Sequence, residues 1–337
     1  MSTPRKALVA GANGIIGRTL TDHLRGLGGW DVVGLSRRGG PGALAVDLLD
    51  AADTRAKLAD HRDATHLFYA AYQDRPTWAE LVAPNVAMLE NLVDGLDGGA
   101  LEHVSLMQGY KVYGAHLGPF KTPARESDAG HMPPEFNVDQ QELLERRAPS
   151  WSAIRPSVVG GTTLGNPMNL ALVIAVYASI SKELGLPLRF PGKPGAYDSL
   201  LEMTDAGLLA EATVWAATST RNEAFNIANG DLFRWRELWP KLAAYFELDT
   251  APPLPMSLAT VMADKEPLWS RMSAKYGLKP AYRDVSAWPF GDFVFSWDYD
   301  MFADTSKSRR AGFHYYVDTE QMFYRLFDEF RRDKVIP

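Results

Sequence analysis

Residues 6–17 read Lys-Ala-Leu-Val-Ala-Gly-Ala-Asn-Gly-Ile-Ile-Gly, and this stretch decides the fold. The apolar run Lys6–Ala10 reads as a short buried strand, and the leucines of Arg18–Leu27 recur at helical spacing. Between them stand Gly11, Gly14 and Gly17. The first glycine permits a tight turn, the second lets main-chain amides approach a pyrophosphate, and the third lets helix pack closely on strand. The helix that follows presents unpaired N–H groups and the positive end of its dipole to such an anion. A glycine triplet alone is weak evidence, but one that leaves a strand and opens a helix points to a dinucleotide. Gly11, Asn13, Gly14, Ile15, Ile16 and Gly17 are therefore assigned to cofactor binding. A purely structural turn would need fewer glycines.

The same alternation continues downstream. Trp30–Leu35, Ala43–Asp47, His66–Ala71, His103–Met107 and Ser152–Arg155 read as strands, and Ala51–Leu58, Asn85–Leu96 and Phe136–Arg147 as helices. Buried strands separated by helices imply βαβ units and a parallel sheet. Residues 114–135, rich in Gly, Pro, His and scattered charge, read as a long functional loop. Beyond Gly160 aromatic residues and prolines become more frequent, with helices expected near 168–184, 204–217, 234–247 and 319–331. The expected fold class is α/β, a Rossmann doubly wound parallel sheet with a smaller, mainly helical C-terminal substrate-capping region. Residues 1–160 are expected to form the cofactor-binding domain. Residues 161–337 would form the capping region, with some segments returning to the sheet.

Composition narrows the function. The chain has 337 residues, 46% hydrophobic and 23% charged, enough for a sizeable core and close to the globular average. Its formal charge of −6, with basic residues dispersed, argues against nucleic acid, which requires a concentrated basic surface. The absence of cysteine excludes disulfides, thiolate metal sites and a cysteine nucleophile. His103, His116 and His131 lack metal-ligand spacing, so no metal is expected. The opening Met1–Ala10 loosely imitates an export signal, but Gly11, Asn13 and Arg18 break its apolar run at once. Leu170–Ile180 is far short of the ~20 apolar residues a bilayer span requires. A cytoplasmic protein with no membrane partner is expected, and a homodimer is an open possibility.

The end of the second strand selects the dinucleotide. NAD sites place Asp or Glu there, against the ribose 2′-hydroxyl. This chain has Ser36-Arg37-Arg38, a hydroxyl and two guanidiniums suited to a 2′-phosphate. NADPH/NADP+ is the expected cofactor, with a solvated basic turn as the alternative. Asp47-Leu48 falls where an adenine amino group is met, or is an exposed acidic turn without a role. Ala70 and Ala71 at the end of the fourth strand and Tyr72 just past it, Gln108 after the fifth, and Pro156, Ser157, Val158 and Val159 after the sixth complete the expected cofactor contacts.

The usual Tyr-x-x-x-Lys pair of short-chain dehydrogenases/reductases is absent, since no Tyr has Lys four residues later. Gln108-Gly-Tyr-Lys111-Val-Tyr113 with Gly118-Pro-Phe120 instead resembles the progesterone 5β-reductase and iridoid synthase-like reductases. These are an atypical extended branch marked by Thr-Gly-x-Lys-x-Tyr and a following Gly-Pro-Phe. The resemblance extends through His66-Leu-Phe-Tyr69, Arg155-Pro156, Asn222-Glu-Ala-Phe-Asn-Ile-Ala-Asn-Gly-Asp-Leu-Phe-Arg-Trp235, Lys265-Glu-Pro-Leu-Trp269 and Gly312-Phe313. It implies that Lys111 is catalytic, holding the nicotinamide ribose and lowering the pKa of a neighbouring proton donor. It also implies a catalytic tyrosine, the first of an Asn-Phe-Tyr-Tyr motif opening the next helix, whose hydroxyl stabilises the oxyanion or enolate formed as hydride arrives. The matching residues here are Glu135-Phe136-Asn137-Val138, so Asn137 stands at the tyrosine position.

An amide can donate a hydrogen bond to a developing oxyanion but does not deliver a proton. Losing a positioned proton donor typically costs roughly 10²–10⁴-fold. Tyr113 and Tyr72 are the candidate donors, each with packing beside the cofactor as its alternative. The expected function is NADPH-dependent reduction of a small hydrophobic α,β-unsaturated carbonyl compound, ketone or aldehyde, with Lys111, Asn137 and Tyr113 as the catalytic set. Two other classes stay open: an NADP(H)-binding isomerase, epimerase or lyase, and an NADP(H)-sensing protein without turnover.

Overall fold

The computed structural model describes residues 5–40 and 42–337. Met1–Pro4, part of the opening tested above for an export signal, and Pro41 lie outside them. The chain forms two compact units. The first takes the residues up to 157 together with 206–227 and 303–315, and the second takes 158–205, 228–302 and 316–337.

The first unit is built on a seven-stranded sheet. Its strands are β1 (Arg5–Ala10), β2 (Trp30–Ser36), β3 (Ala43–Ala45), β4 (His66–Tyr69), β5 (His103–Met107), β6 (Trp151–Pro156) and a late strand, Glu223–Ile227. The order is late strand–β6–β5–β4–β1–β2–β3, with every pair parallel. Connections run one way from β1 to β2 and β3, then cross back to β4. The β1/β4 border is therefore the switch point where ligands bind in such sheets.

Residues of β1 alternate between two cores. Ala7 and Val9 pack with Leu20 and Leu24 of α1 (Ile15–Leu27) and with Ala210, Val214 and Ala217 of the helix Ala206–Ser219. Leu8 and Ala10 face the opposite cluster, which includes Leu58, Leu89, Leu92 and Leu144. These belong to α2 (Ala51–Leu58), α3 (Trp78–Leu96) and α4 (Phe136–Arg147). A strand covered on both faces reads as a continuous apolar run, which is why Ala7-Leu-Val-Ala10 shows no polar alternation.

Three boundaries differ from the sequence reading. Helix α3 starts at Trp78 rather than Asn85, because Thr77 and Glu80 form a capping box and the helix tolerates Pro84 inside it. Strand β3 stops at Ala45, two residues short of Asp47. Asp53 takes the Asp47 main-chain N–H at 2.8 Å while the Asp47 carboxylate accepts from the Leu49 N–H at 3.1 Å, turning the chain into α2. Strand β4 ends at Tyr69, and the Ala70 N–H adds one last bond to the Ala10 carbonyl at 3.0 Å.

In the second unit, the helix Leu170–Glu183 is buried on every face from Leu170 to Ser181, as its uniform apolar sequence requires. Phe190, Trp235, Trp239 and Phe295 form an aromatic cluster with ring centroids 5.3–5.9 Å apart. Two short parallel pairs join Val158–Gly160 to Met203–Asp205 and Leu188–Arg189 to Thr250–Ala251. No helix among the described residues is long and apolar enough to cross a membrane.

Candidate active site

At the switch point the glycines have measurable reasons. Gly11 takes φ +79°, and a Cβ there would lie 2.5 Å from the Ala70 carbonyl oxygen. A Cβ at Gly17 would lie 2.3 Å from the Gly11 carbonyl oxygen. Neither space admits a side chain, so β1, α1 and the β4 exit are drawn together by residues that have none. Gly14 precedes α1 with no capping side chain, and the first turn of α1 carries no acidic residue. The helix end therefore keeps its attraction for anions.

Beside this cradle, Asn13 Nδ2 donates to Ser36 Oγ at 3.0 Å and to the Gly39 carbonyl at 3.2 Å. Asn13 thus braces the loop after β2. Arg37 and Arg38 project from that loop into solvent. Arg37 Nη1 donates to Gln73 at 3.2 Å, and neither guanidinium has a carboxylate partner among the described residues. Leu48 is buried, and its carbonyl accepts from Asn91 Nδ2 at 2.8 Å. A phosphorylated dinucleotide fits what is present: a glycine cradle too tight for side chains, an uncapped helix end, and two arginines without carboxylates.

At the next strand ends lies a second cluster. Lys111 sits in the 3₁₀ turn Tyr110–Tyr113 after β5. Its ammonium lies 4.8 Å from the Trp78 ring centroid and 5.8 Å from that of Tyr72. It makes no hydrogen bond or ion pair among the described residues. Burial pushes its pKa down, against the pull of the Glu135 and Asp74 carboxylates. Tyr72 packs on Phe136 at 5.9 Å and donates its hydroxyl to Asp74 at 3.0 Å; burial and that carboxylate raise its pKa. His116 lies 4.4 Å from Trp78, and burial together with the Lys111 charge lowers its pKa to about 4.

Asn137 occupies the first turn of α4 and is buried. Its main-chain N–H and its Nδ2 both donate to Glu135 Oε1, at 3.1 and 2.6 Å. Glu135 is the N-cap of α4 and only 6% exposed; burial raises its pKa although Asn137 and Lys111 favour the ionised form. Gln108 reaches this turn from β5, its Nε2 donating to the Asn137 carbonyl at 2.7 Å.

The second candidate tyrosine is placed differently. The Tyr113 hydroxyl donates to Asn226 Oδ1 and accepts from Arg155 Nη1 at 3.1 Å, and burial raises its pKa to about 12. Arg155 is almost fully buried and also donates to Gln108, Gln141 and the Glu126 carbonyl. Its charge therefore meets four polar oxygens inside the fold.

With this geometry in view, comparison with known proteins is specific. Residues 45–337 match the family model of the PRISE-like Rossmann-fold domain. The chain belongs to the PRISE-like Rossmann-fold family. Relatives include the (S)-8-oxocitronellyl enol synthase of Camptotheca acuminata, 32% identical over 98% of this chain and 93% of that protein. The 3-oxo-Δ(4,5)-steroid 5-β-reductase of Arabidopsis thaliana is 31% identical, again over 98% of this chain and 93% of that one. Among solved structures, the UDP-glucose 4-epimerase of Thermotoga maritima superposes with a TM-score of 0.70 at 18% identity, covering 97% of this chain and 99% of that one. At that identity the likeness concerns fold alone.

In this PRISE-like chain, the structure brings together Tyr72, Lys111 and the Glu135–Asn137 turn, with Gln108 bracing that turn from behind. Tyr113 faces the buried Arg155–Asn226 network instead. Pro156 closes β6 and Ser157 follows within the first unit, whereas Val158 and Val159 open a strand of the second. Two asparagines of the Asn222–Trp235 run are structural. Asn226 donates to the carbonyls of Ala124 and Asp304 in the first unit, and Asn229 binds the Asp205 N–H and Thr319 Oγ1 in the second.

Trp78, His116 and Glu135 are absent from the sequence-derived site. The Thr77-x-x-Glu80 capping box was a usable signal for the first, since it starts α3 at Trp78. Nothing in the sequence separates a buried Glu135 from a solvated one.

Proposed function

We propose that the chain is an NADPH-dependent oxidoreductase that reduces a small hydrophobic α,β-unsaturated carbonyl compound, ketone or aldehyde by hydride transfer. The observation that carries this reading is Lys111, a half-buried lysine whose ammonium has no carboxylate partner among the described residues, in the turn after β5 and beside the buried Glu135–Asn137 turn. The Camptotheca enol synthase and the Arabidopsis steroid 5-β-reductase among its relatives support it.

In this reading Gly11–Gly17 would hold the pyrophosphate, Arg37 and Arg38 the 2′-phosphate, and Lys111 the nicotinamide ribose. When bound, the reduced nicotinamide supplies the hydride, and the chain's task is orientation and charge stabilisation. Asn137 stands where the family tyrosine is expected. One hydrogen of its Nδ2 is engaged by Glu135; the other is available to the oxygen that gains charge as hydride arrives. Neither tyrosine considered from sequence is an attractive acid, because Tyr72 gives its hydroxyl to Asp74 and Tyr113 gives its own to Asn226.

The test is loss of NADPH absorbance against a panel of enones, enals, ketones and aldehydes, for wild type, Asn137→Ala and Asn137→Tyr. Turnover by wild type that collapses in the alanine variant supports Asn137 as the oxygen-holding donor. Tight NADPH binding with no turnover by wild type overturns the reductase reading and favours a sensor. Product formation without net nicotinamide oxidation favours an isomerase, epimerase or lyase.

A further inference from the structure

The Glu135 carboxyl group is used only in part by the fold. Oε1 accepts from both N–H groups of Asn137, as a helix N-cap should. Oε2 has no hydrogen-bond partner among the described residues, yet it is not sealed in the core. A cap needs one oxygen. The second belongs to a residue that is 6% exposed and within electrostatic reach of the Lys111 ammonium, with which it forms no ion pair. The charged and titratable groups around it are Lys111 from the 3₁₀ turn, Tyr72 and Asp74 from the β4 exit, and Asp139 on α4.

We propose that Glu135 is the proton donor of this site, giving the hydrogen of Oε2 to the substrate oxygen while Asn137 holds Oε1. The proposal rests on the reductase reading above and supplies the acid that reading lacks. The bound reduced nicotinamide would supply hydride to the carbonyl carbon, or to the β-carbon of a conjugated carbonyl. The displaced π-electron pair moves to oxygen, which forms an O–H bond as the Oε2–H bond breaks. The products are an alcohol or an enol, the oxidised nicotinamide and a Glu135 carboxylate. The enol then tautomerises in water to the saturated carbonyl, and water returns the proton to Glu135.

The surroundings suit both halves of that cycle. Burial favours the neutral acid before transfer, as the raised pKa of Glu135 reflects. After transfer, two N–H groups of Asn137, the N-terminal end of α4 and the Lys111 charge stabilise the carboxylate. Asn137 is thus a positioning residue for Glu135 as well as a donor to substrate. A tyrosine combines acid and oxygen-holder in one hydroxyl; here the two duties are divided between residues two apart.

Glu135→Gln is the discriminating variant, because its amide oxygen keeps the cap while the transferable proton is lost. The expected result is a fall in kcat/KM of roughly 10²–10⁴-fold on the carbonyl panel. NADPH affinity and thermal midpoint should match wild type. The wild-type profile should lose activity as pH rises through the Glu135 pKa, since the acid must be protonated, and the variant should lack that limb. Independently of turnover, infrared difference spectra of the protein alone should contain a protonated-carboxyl stretch that titrates above the ordinary carboxylate range and that Glu135→Gln removes.

Glu135→Asp, which restores a proton on a shorter arm, should recover part of the activity and guards against a folding defect in the glutamine variant. Wild-type turnover retained in Glu135→Gln, or an infrared titration of Glu135 in the ordinary carboxylate range, would overturn the proposal and leave the reductase reading intact. A wild type that oxidises no NADPH overturns both.

Discussion

Gln108 and Asn137, twenty-nine positions apart in the chain, are joined by a 2.7 Å hydrogen bond from the Gln108 amide to the Asn137 carbonyl. The other end of that amide, Oε1, accepts from Arg155 Nε at 2.8 Å. One side chain therefore fixes the first turn of α4 relative to β5 and satisfies a buried guanidinium on β6. Replacing it with an apolar residue of similar length leaves Arg155 Nε and the Asn137 carbonyl without their partner. Gln108→Met should lower unfolding free energy by about 1–3 kcal/mol, the usual cost of a buried group left unsatisfied. Turnover should fall while NADPH affinity stays close to wild type. Urea unfolding and steady-state kinetics read the two effects; an unchanged kcat would show that the position of α4 does not depend on this bond.

In the proposed function, Arg37 and Arg38 carry the coenzyme preference. A charge-assisted hydrogen bond contributes about 1.5–3 kcal/mol, equivalent to roughly 10–100-fold in a dissociation constant. Arg37→Ala and Arg38→Ala should each weaken NADPH by up to that amount and leave NADH unaffected. Ser36→Asp, which sets a carboxylate against the 2′-phosphate, should reverse the preference. Calorimetric titration with both coenzymes decides the matter, and equal wild-type affinity for NADH and NADPH would end the argument for a 2′-phosphate site.

His66 and His103 make stability depend on acidity. Both are buried in the first unit, their ring centroids 6.2 Å apart, and His103 bonds Ser150 and Ser152 through its two ring nitrogens. Burial, with smaller repulsion from nearby positive charge, lowers each pKa from 6.5 to about 4. Above the unfolded value neither state binds the proton, so the folded state keeps its full stability. As pH falls from 6.5 towards 4 the unfolded chain binds protons that the folded chain refuses, and stability is lost at about 1.4 kcal/mol per pH unit for each imidazole. The urea midpoint should therefore drop steeply across that window. His103→Asn should flatten the slope; a midpoint independent of pH there would show that the pair titrates normally.

The parts of this molecule that were legible in sequence are those governed by neighbours along the chain. Gly11 and Gly17 announced the turn because the first holds φ +79° and a Cβ on the second would meet the Gly11 carbonyl oxygen. Ala7-Leu-Val-Ala10 announced a strand covered on both faces because both alternations are apolar. The family motif around Lys111 located a residue that the fold does hold at a strand end. What stayed hidden depends on distant partners. Tyr113, two residues from Lys111, looked like a neighbour of the chemistry, but its hydroxyl is taken by Asn226, more than a hundred positions later. Glu135 looked like an ordinary charged residue before a helix, and only its burial against Asn137 distinguishes it. Gln108 was read as a cofactor contact by its strand-end position, and its side chain is spent on α4 and β6.

Tyr113 and Lys111 should consequently give opposite phenotypes, although they share one helical turn. Tyr113→Phe removes a donor to Asn226 and an acceptor for Arg155, both buried, so stability should fall by about 1–3 kcal/mol. Turnover by the folded fraction should persist, because the hydroxyl faces the fold's interior network. Lys111→Met deletes an ammonium whose burial disfavours its charge, at the cost of the contacts with Trp78 and Tyr72, which contribute about 0.5–1 kcal/mol at exposed sites and more when desolvated. The thermal midpoint should hold or rise, and carbonyl reduction should be lost together with part of the NADPH affinity. Thermal melts and single-turnover rates on both variants separate the roles. A Tyr113→Phe protein that folds normally but cannot reduce substrate would return the acid to Tyr113 and remove the need for Glu135.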